Sequence, residues 1–171
     1  MSKSQEFVKG VWKQEPLIHT PQELTHLAKS LTSHTHPEFG GENGPFPLTG
    51  PYATSPDNPE NNQLRYMGGN KESAAGECDK ACRMVHDHLP HGSHVKEYRV
   101  GWGTDSKDKP RYGNHFVHHV PTTEGMYVVD YTHRQFNANA HFPVVEPQDK
   151  FEARKSMKSY TYQRQVDPRV L

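Results

Sequence analysis

A chain of 171 residues with 20 acidic and 20 basic side chains has no net field to draw it onto nucleic acid or an anionic membrane, so neither partner is expected. Only 32% of the chain is hydrophobic, and 13 glycines and 14 prolines interrupt it, which points to one domain with a modest core and much loop. No apolar run approaches the roughly 20 residues of a membrane span. The opening MSKSQEFVKGVW lacks the apolar centre of a secretion signal, so the expected setting is the cytoplasm, or that of a phage-borne or injected effector.

In chain order, Thr20-Pro21-Gln22-Glu23 reads as a helix start: a capping hydroxyl, a proline in the first turn, and a glutamate able to complete a capping box. Leu24, Leu27, Ala28 and Leu31 continue it at helical spacing, predicting a helix over 21–33. Residues 34–70 have no periodicity and are rich in proline and glycine, as in GGENGPFPLTGP, and read as a long loop. Residues 77–89 read as a second helix, with Cys78, Ala81, Cys82, Val85 and Leu89 on one stripe and Pro90 and Gly92 ending it. HVKEYRVGW (94–102) alternates as a strand, and 103–114 reads as a turn-rich connection. HFVHHV (115–120) and MYVVDYT (126–132) are strands joined by PTTEG, and 146–163 reads as a final helix. Helices precede a strand-rich half, so the fold class is α+β in a single domain over 1–171. Within it, 1–73 holds the N-terminal helix and long loop, 74–145 a candidate catalytic core, and 146–171 a C-terminal helix and tail.

The chain has two cysteines, both in AAGECDKACRMVHDHL. A disulfide within one helical turn meets the required dihedral poorly and suits neither a reducing compartment nor this spacing. Zinc sites ordinarily use Cys-x2-Cys with a second pair, and there is none here. Cys82 reads as a small core residue. Cys78 follows Gly76-Glu77 at the start of the helix, where free amides and the positive end of the dipole favour a thiolate.

A histidine and an acid follow in the hairpin. In GNHFVHHV, His115 lies at the beginning of a strand, on one face with Val117 and His119. Asp130 lies in the partner strand 126–132. A four-residue turn (121–124) would set His115 opposite Asp130, with β-carbons roughly 4.5–5.5 Å apart. A five-residue turn would pair Phe116 with Asp130 and turn the two side chains to opposite faces, unless a bulge restored the geometry.

GEC opening a helix, then NHFVHHV, then YVVDYTHRQF, resembles the Cys…His…Asp order of the papain-like cysteine hydrolase superfamily, nearest to bacterial papain-fold toxin and transglutaminase-like domains. The likeness spans 74–145, and Asp130-Tyr131-Thr132 with Gln135-Phe136 matches the family's strand-end pattern. The resemblance implies a central helix packed on an antiparallel sheet, with Cys78 as nucleophile, His115 as base and Asp130 as its orienter. It implies chemistry on the amide bond of a protein or peptide, by hydrolysis, deamidation or transamidation, with no cofactor and no metal. The glutamine that papain-type peptidases place six residues before the nucleophile is Glu72 here, so oxyanion support would fall to Asn70 or to the amides at Gly76–Cys78. Gln135 would brace the strand end.

Two other readings remain. HDHLPHGSH offers His86, His88, His91 and His94 to a zinc hydrolase, although histidines two apart on a helix diverge. A non-catalytic binding protein on the same scaffold is the other.

Overall fold

The computed structural model describes residues 5–8, 11–14, 18–33, 39, 62–157 and 160–171, with backbone alone at 5–8, 11–14, 102, 161 and 162. Most of the expected 34–70 loop lies outside the described residues.

A short antiparallel hairpin of β1 (Gln5–Val8) and β2 (Val11–Gln14) comes first. The helix α1 (Pro21–Ser30) begins as its sequence dictates: Thr20 Oγ1 accepts from the Glu23 amide and Glu23 Oε1 from the Thr20 amide, both at 3.2 Å. The last nine residues of the expected loop are ordered differently from expectation, because Asn62 caps a short helix α2 (Gln63–Met67). The buried Asn62 amide also donates to the carbonyls of Leu31 and Ser33, at 3.0 and 2.8 Å, so a single polar side chain ends one helix and starts the next. A one-turn helix α3 (Lys71–Ala74) leads to α4 (Cys78–Val85), which runs on as a 3-10 turn over His86–His88.

The strands β3 (His94–Thr104), β4 (Pro110–Thr122), β5 (Gly125–Asp130), β6 (Val144–Pro147) and β7 (Tyr160–Val166) form one antiparallel sheet in the order β6-β5-β4-β3-β7. The expected turn-rich connection 103–114 is shorter than predicted, since β4 already begins at Pro110. The expected C-terminal helix over 146–163 is also replaced. Among the described residues there, α5 (Gln148–Glu152) and a 3-10 turn (Lys155–Met157) are the only helical ones, and the tail becomes β7 on the edge of β3. The physical reason is local. Tyr160-Thr-Tyr-Gln-Arg-Gln-Val166 is rich in aromatic and β-branched residues, which suit a pleated edge better than a helix.

Side-chain alternation sorts the sheet into two faces, each with its own core. Val120, Val129 and Tyr131 meet Leu24 and Ala28 of α1 and Ala81 and Val85 of α4. Val117, Val128 and Val144 meet Phe151 of α5 and Met157 on the other side. Each fully buried side chain of this size contributes roughly 1.5–3 kcal/mol. The α+β class is thus observed, as a five-stranded antiparallel sheet with short helices on both faces.

Candidate active site

Three local features bring chemistry to the middle of β4, where His115 is the sixth of thirteen residues rather than the first of its strand as expected, because pairing with β3 extends β4 back to Pro110. Gly76, in a positive-φ conformation (φ 75°) that only glycine adopts freely, turns the chain from the extended end of α3 into α4. Cys78 is therefore the first residue of α4, and Glu77 supplies no side-chain cap, leaving the first-turn amides near the sulfur without one. The Cys78 thiol donates to the carbonyl of Asn114, the residue before His115, at 3.9 Å. Both cysteines are free thiols.

The hairpin register differs from both expected alternatives. The loop is only Thr123-Glu124, with Thr122 paired to Gly125, Val120 to Tyr127 and His118 to Val129. One step further along the same register, Asp130 falls opposite Val117, two residues from His115. A shift of two preserves the face, so the two side chains remain diagonal neighbours. His115 Nε2 donates to Asp130 Oδ2 at 2.6 Å.

The carboxylate is held from several sides. Oδ2 also accepts from His133 Nδ1 at 3.0 Å, and Oδ1 accepts from the Thr132 amide at 2.9 Å. His133 Nε2 in turn meets Ser156 Oγ at 2.8 Å. The other ring nitrogen of His115, Nδ1, lies 3.3 Å from Gln135 Nε2, and that amide also donates to Thr132 Oγ1 at 3.2 Å. Phe136 packs edge-on against the His115 ring, with centroids 4.8 Å apart. His115, Asp130 and His133 are all buried, at 0–2% exposure, so water competes for none of these bonds.

Burial alone would strip the proton from His115. The charge and hydrogen bond of Asp130 oppose it, Cys78 beside the ring adds to them, and the result is a pKa pushed up to about 10. Burial likewise favours a neutral Asp130, but His115 and then His133 hold its carboxyl well below the usual carboxylate range. Cys82, one turn deeper in α4, is driven the other way. Burial pushes its thiol far up, reinforced by Cys78, Asp130 and Asp79.

A cleft of about 530 Å³ opens beside this cluster, lined by Gly76, Gln135, Phe136 and Ser156 among others. Gly76 and Gln135 both line that cleft. Asn70, expected as an oxyanion donor, does not line that cleft. Its Oδ1 accepts from the Ser73 amide at 2.8 Å and caps α3. His133 and Ser156 were missed by sequence reasoning. The signal for His133 was its position three residues after an acid at a strand end; Ser156 gave none.

Among the described residues, His115, Asp130 and His133 form the one group of three or more whose ligand atoms all lie within 4.8 Å of each other. The histidines of HDHLPHGSH diverge instead. His86 Nδ1 meets His118 Nε2 at 3.0 Å, His88 packs edge-on to Phe39, His94 lies against His119, and His91 is exposed.

Comparison with protein-family models, curated proteins and solved structures finds no match to this chain.

Proposed function

We propose that this protein is a thiol-dependent acyl-transfer enzyme of the papain-like kind, acting on an amide through Cys78, His115 and Asp130. The observation that carries the reading is the buried Asp130–His115 pair at 2.6 Å with the Cys78 thiol beside the same ring, at the first residue of a helix. Asp130 fixes the proton on Nε2 and stabilises the imidazolium. Once Gln135 yields Nδ1, the raised pKa of the imidazole keeps the Cys78 proton on that nitrogen as a thiolate–imidazolium pair, and the thiolate attacks the amide carbonyl. First-turn amides of α4 receive the developing oxyanion, worth roughly 3–4 kcal/mol for each well-placed donor. The C–N bond then breaks, the imidazolium protonates the departing amine, and an acyl-thioester remains. Water releases it as an acid; a second amine would give transamidation.

The test is trapping with iodoacetamide at neutral pH, read residue by residue by mass spectrometry. Labelling of Cys78 well ahead of Cys82, abolished by His115→Ala, supports the enzyme. Equal, slow labelling of both thiols supports a non-catalytic scaffold and overturns it.

One observation favours a second reading. Two imidazoles and a carboxylate within 4.8 Å can also hold a transition-metal ion, which would replace the protons now shared between them. Stoichiometric zinc in purified protein, lost in His133→Ala, would support that reading.

A further inference from the structure

The cleft beside Gln135 is walled by three cations, Lys71, Arg111 and Lys155, and by no carboxylate. They come from three separate elements: the first residue of α3, the start of β4, and the 3-10 turn after α5. All three are exposed, and none has an ion-pair partner among the described residues. That is unusual in a chain whose charges balance overall, because like charges gathered around a concave surface repel unless something anionic enters. The uncharged lining is equally specific. Gln135 touches His115, Gly76 lies two residues before Cys78, and Ser156 touches His133, so the cleft borders the residues that hold the imidazole and lead into the Cys78 helix.

We infer that the cleft selects substrates carrying carboxylates close to the reacting carbonyl, an acidic peptide segment, with Lys71, Arg111 and Lys155 as the specificity-determining residues. This inference rests on the acyl-transfer reading. Three positive charges converging on a half-enclosed, partly apolar cleft act together on one carboxylate, whereas a neutral amide gains nothing from them. Arg111 adds a planar fork suited to a carboxylate; the lysines add adaptable point charges. The attraction acts over a few ångströms through a wet cleft, so it weakens with salt.

The experiment compares the rates at which Cys78 is alkylated by iodoacetate and by iodoacetamide, reagents that differ in charge and little in size. Each rate is divided by that of glutathione under the same conditions. The expected result is a normalised preference for the anionic reagent that falls about ten-fold in the triple variant Lys71→Gln/Arg111→Gln/Lys155→Gln. Lys71→Arg/Lys155→Arg retains it, and 0.5 M salt reduces it in the native protein. An unchanged ratio in the triple variant overturns the inference while leaving His115-dependent labelling, and with it the acyl-transfer reading, intact. Loss of His115-dependent labelling with either reagent overturns that reading instead. In a second arm, a glutamate-rich peptide slows iodoacetamide labelling of Cys78 and its glutamine counterpart does not. Protection by an oligonucleotide of equal charge, and not by the acidic peptide, overturns the assignment to a peptide.

Discussion

His115 and Asp130 are diagonal rather than opposed across β4 and β5, yet their side chains meet at 2.6 Å. The contact is possible because Asp130 stands at the end of its strand, where the chain bends into the 3-10 turn His133–Gln135 and the carboxylate is free to lean toward β4. That turn returns His133 and Gln135 to the same carboxylate and imidazole, so the pair is held from both sides.

Asp130→Asn tests the pair directly. The amide keeps the shape and loses the charge, leaving only Cys78 to oppose the effect of burial on His115. The His115 pKa is expected to fall steeply from about 10, Cys78 alkylation at pH 7 to slow about 100-fold, and stability to drop by about 3 kcal/mol. NMR titration of the histidine reads the first effect, and an unmoved pKa would contradict it. The native pair also has a defined pH window. His115 is raised on folding, so its contribution is full below pH 6.5 and is lost as pH rises through about 10. Asp130 is lowered on folding, so its contribution is present above 3.8 and is lost as pH falls toward its depressed folded value.

His118 and His119 predict acid sensitivity with the opposite origin. Burial, with His86, His94 and His119 nearby, lowers His118 to about 3; burial, with His94 and Lys96, lowers His119 to about 4. Both are neutral in the fold and take protons on unfolding below pH 6.5. Stability is therefore expected to decline from about pH 6.5 to pH 4, with a slope approaching 1.4 kcal/mol per pH unit for each histidine. Chemical denaturation across that range measures it, and His118→Asn should remove about half of the slope.

Gly68→Ala should cost about 2 kcal/mol by overpacking. A methyl at this position would overlap the ring of Phe142, while the glycine's own backbone is ordinary right-handed helix. Phe142→Leu in the same chain should recover part of the loss. A thermal melt showing no change in Gly68→Ala would mean that the ring swings aside freely.

Thr20→Ala removes one half of the reciprocal cap at the start of α1 and should cost about 1 kcal/mol, read as a lower Tm. Thr20→Ser should behave as the native protein does.

The elements most legible in the sequence are those whose signals are local. The Thr20–Glu23 box announces α1, the Cys78–Val85 stripe announces α4, and the alternation around His115 announces the hairpin. The register was not legible, because Pro121-Thr-Thr-Glu-Gly125 accommodates several turn lengths and the chosen one, Thr123-Glu124, is settled by pairing further along the strands. Its parity was recoverable, which is why His115 and Asp130 meet despite the different turn. The tail misled because Glu152-Ala-Arg-Lys155 and Met157 are good helix formers, while β7 exists through the free edge that β3 offers it. Ser156 and the cations of the cleft were invisible for the same reason, since tertiary packing alone gathers them.

β4 lies at the middle of the sheet, with two strands to either side, and its Val117 and Val120 are sealed into separate cores on opposite faces. Neither half of this molecule is expendable to the other. Loosening the layer under α5 withdraws support from the layer under α4 through the same few peptide groups. Amides at 117–120 should consequently be the last to exchange with deuterium, opening only when the whole chain unfolds.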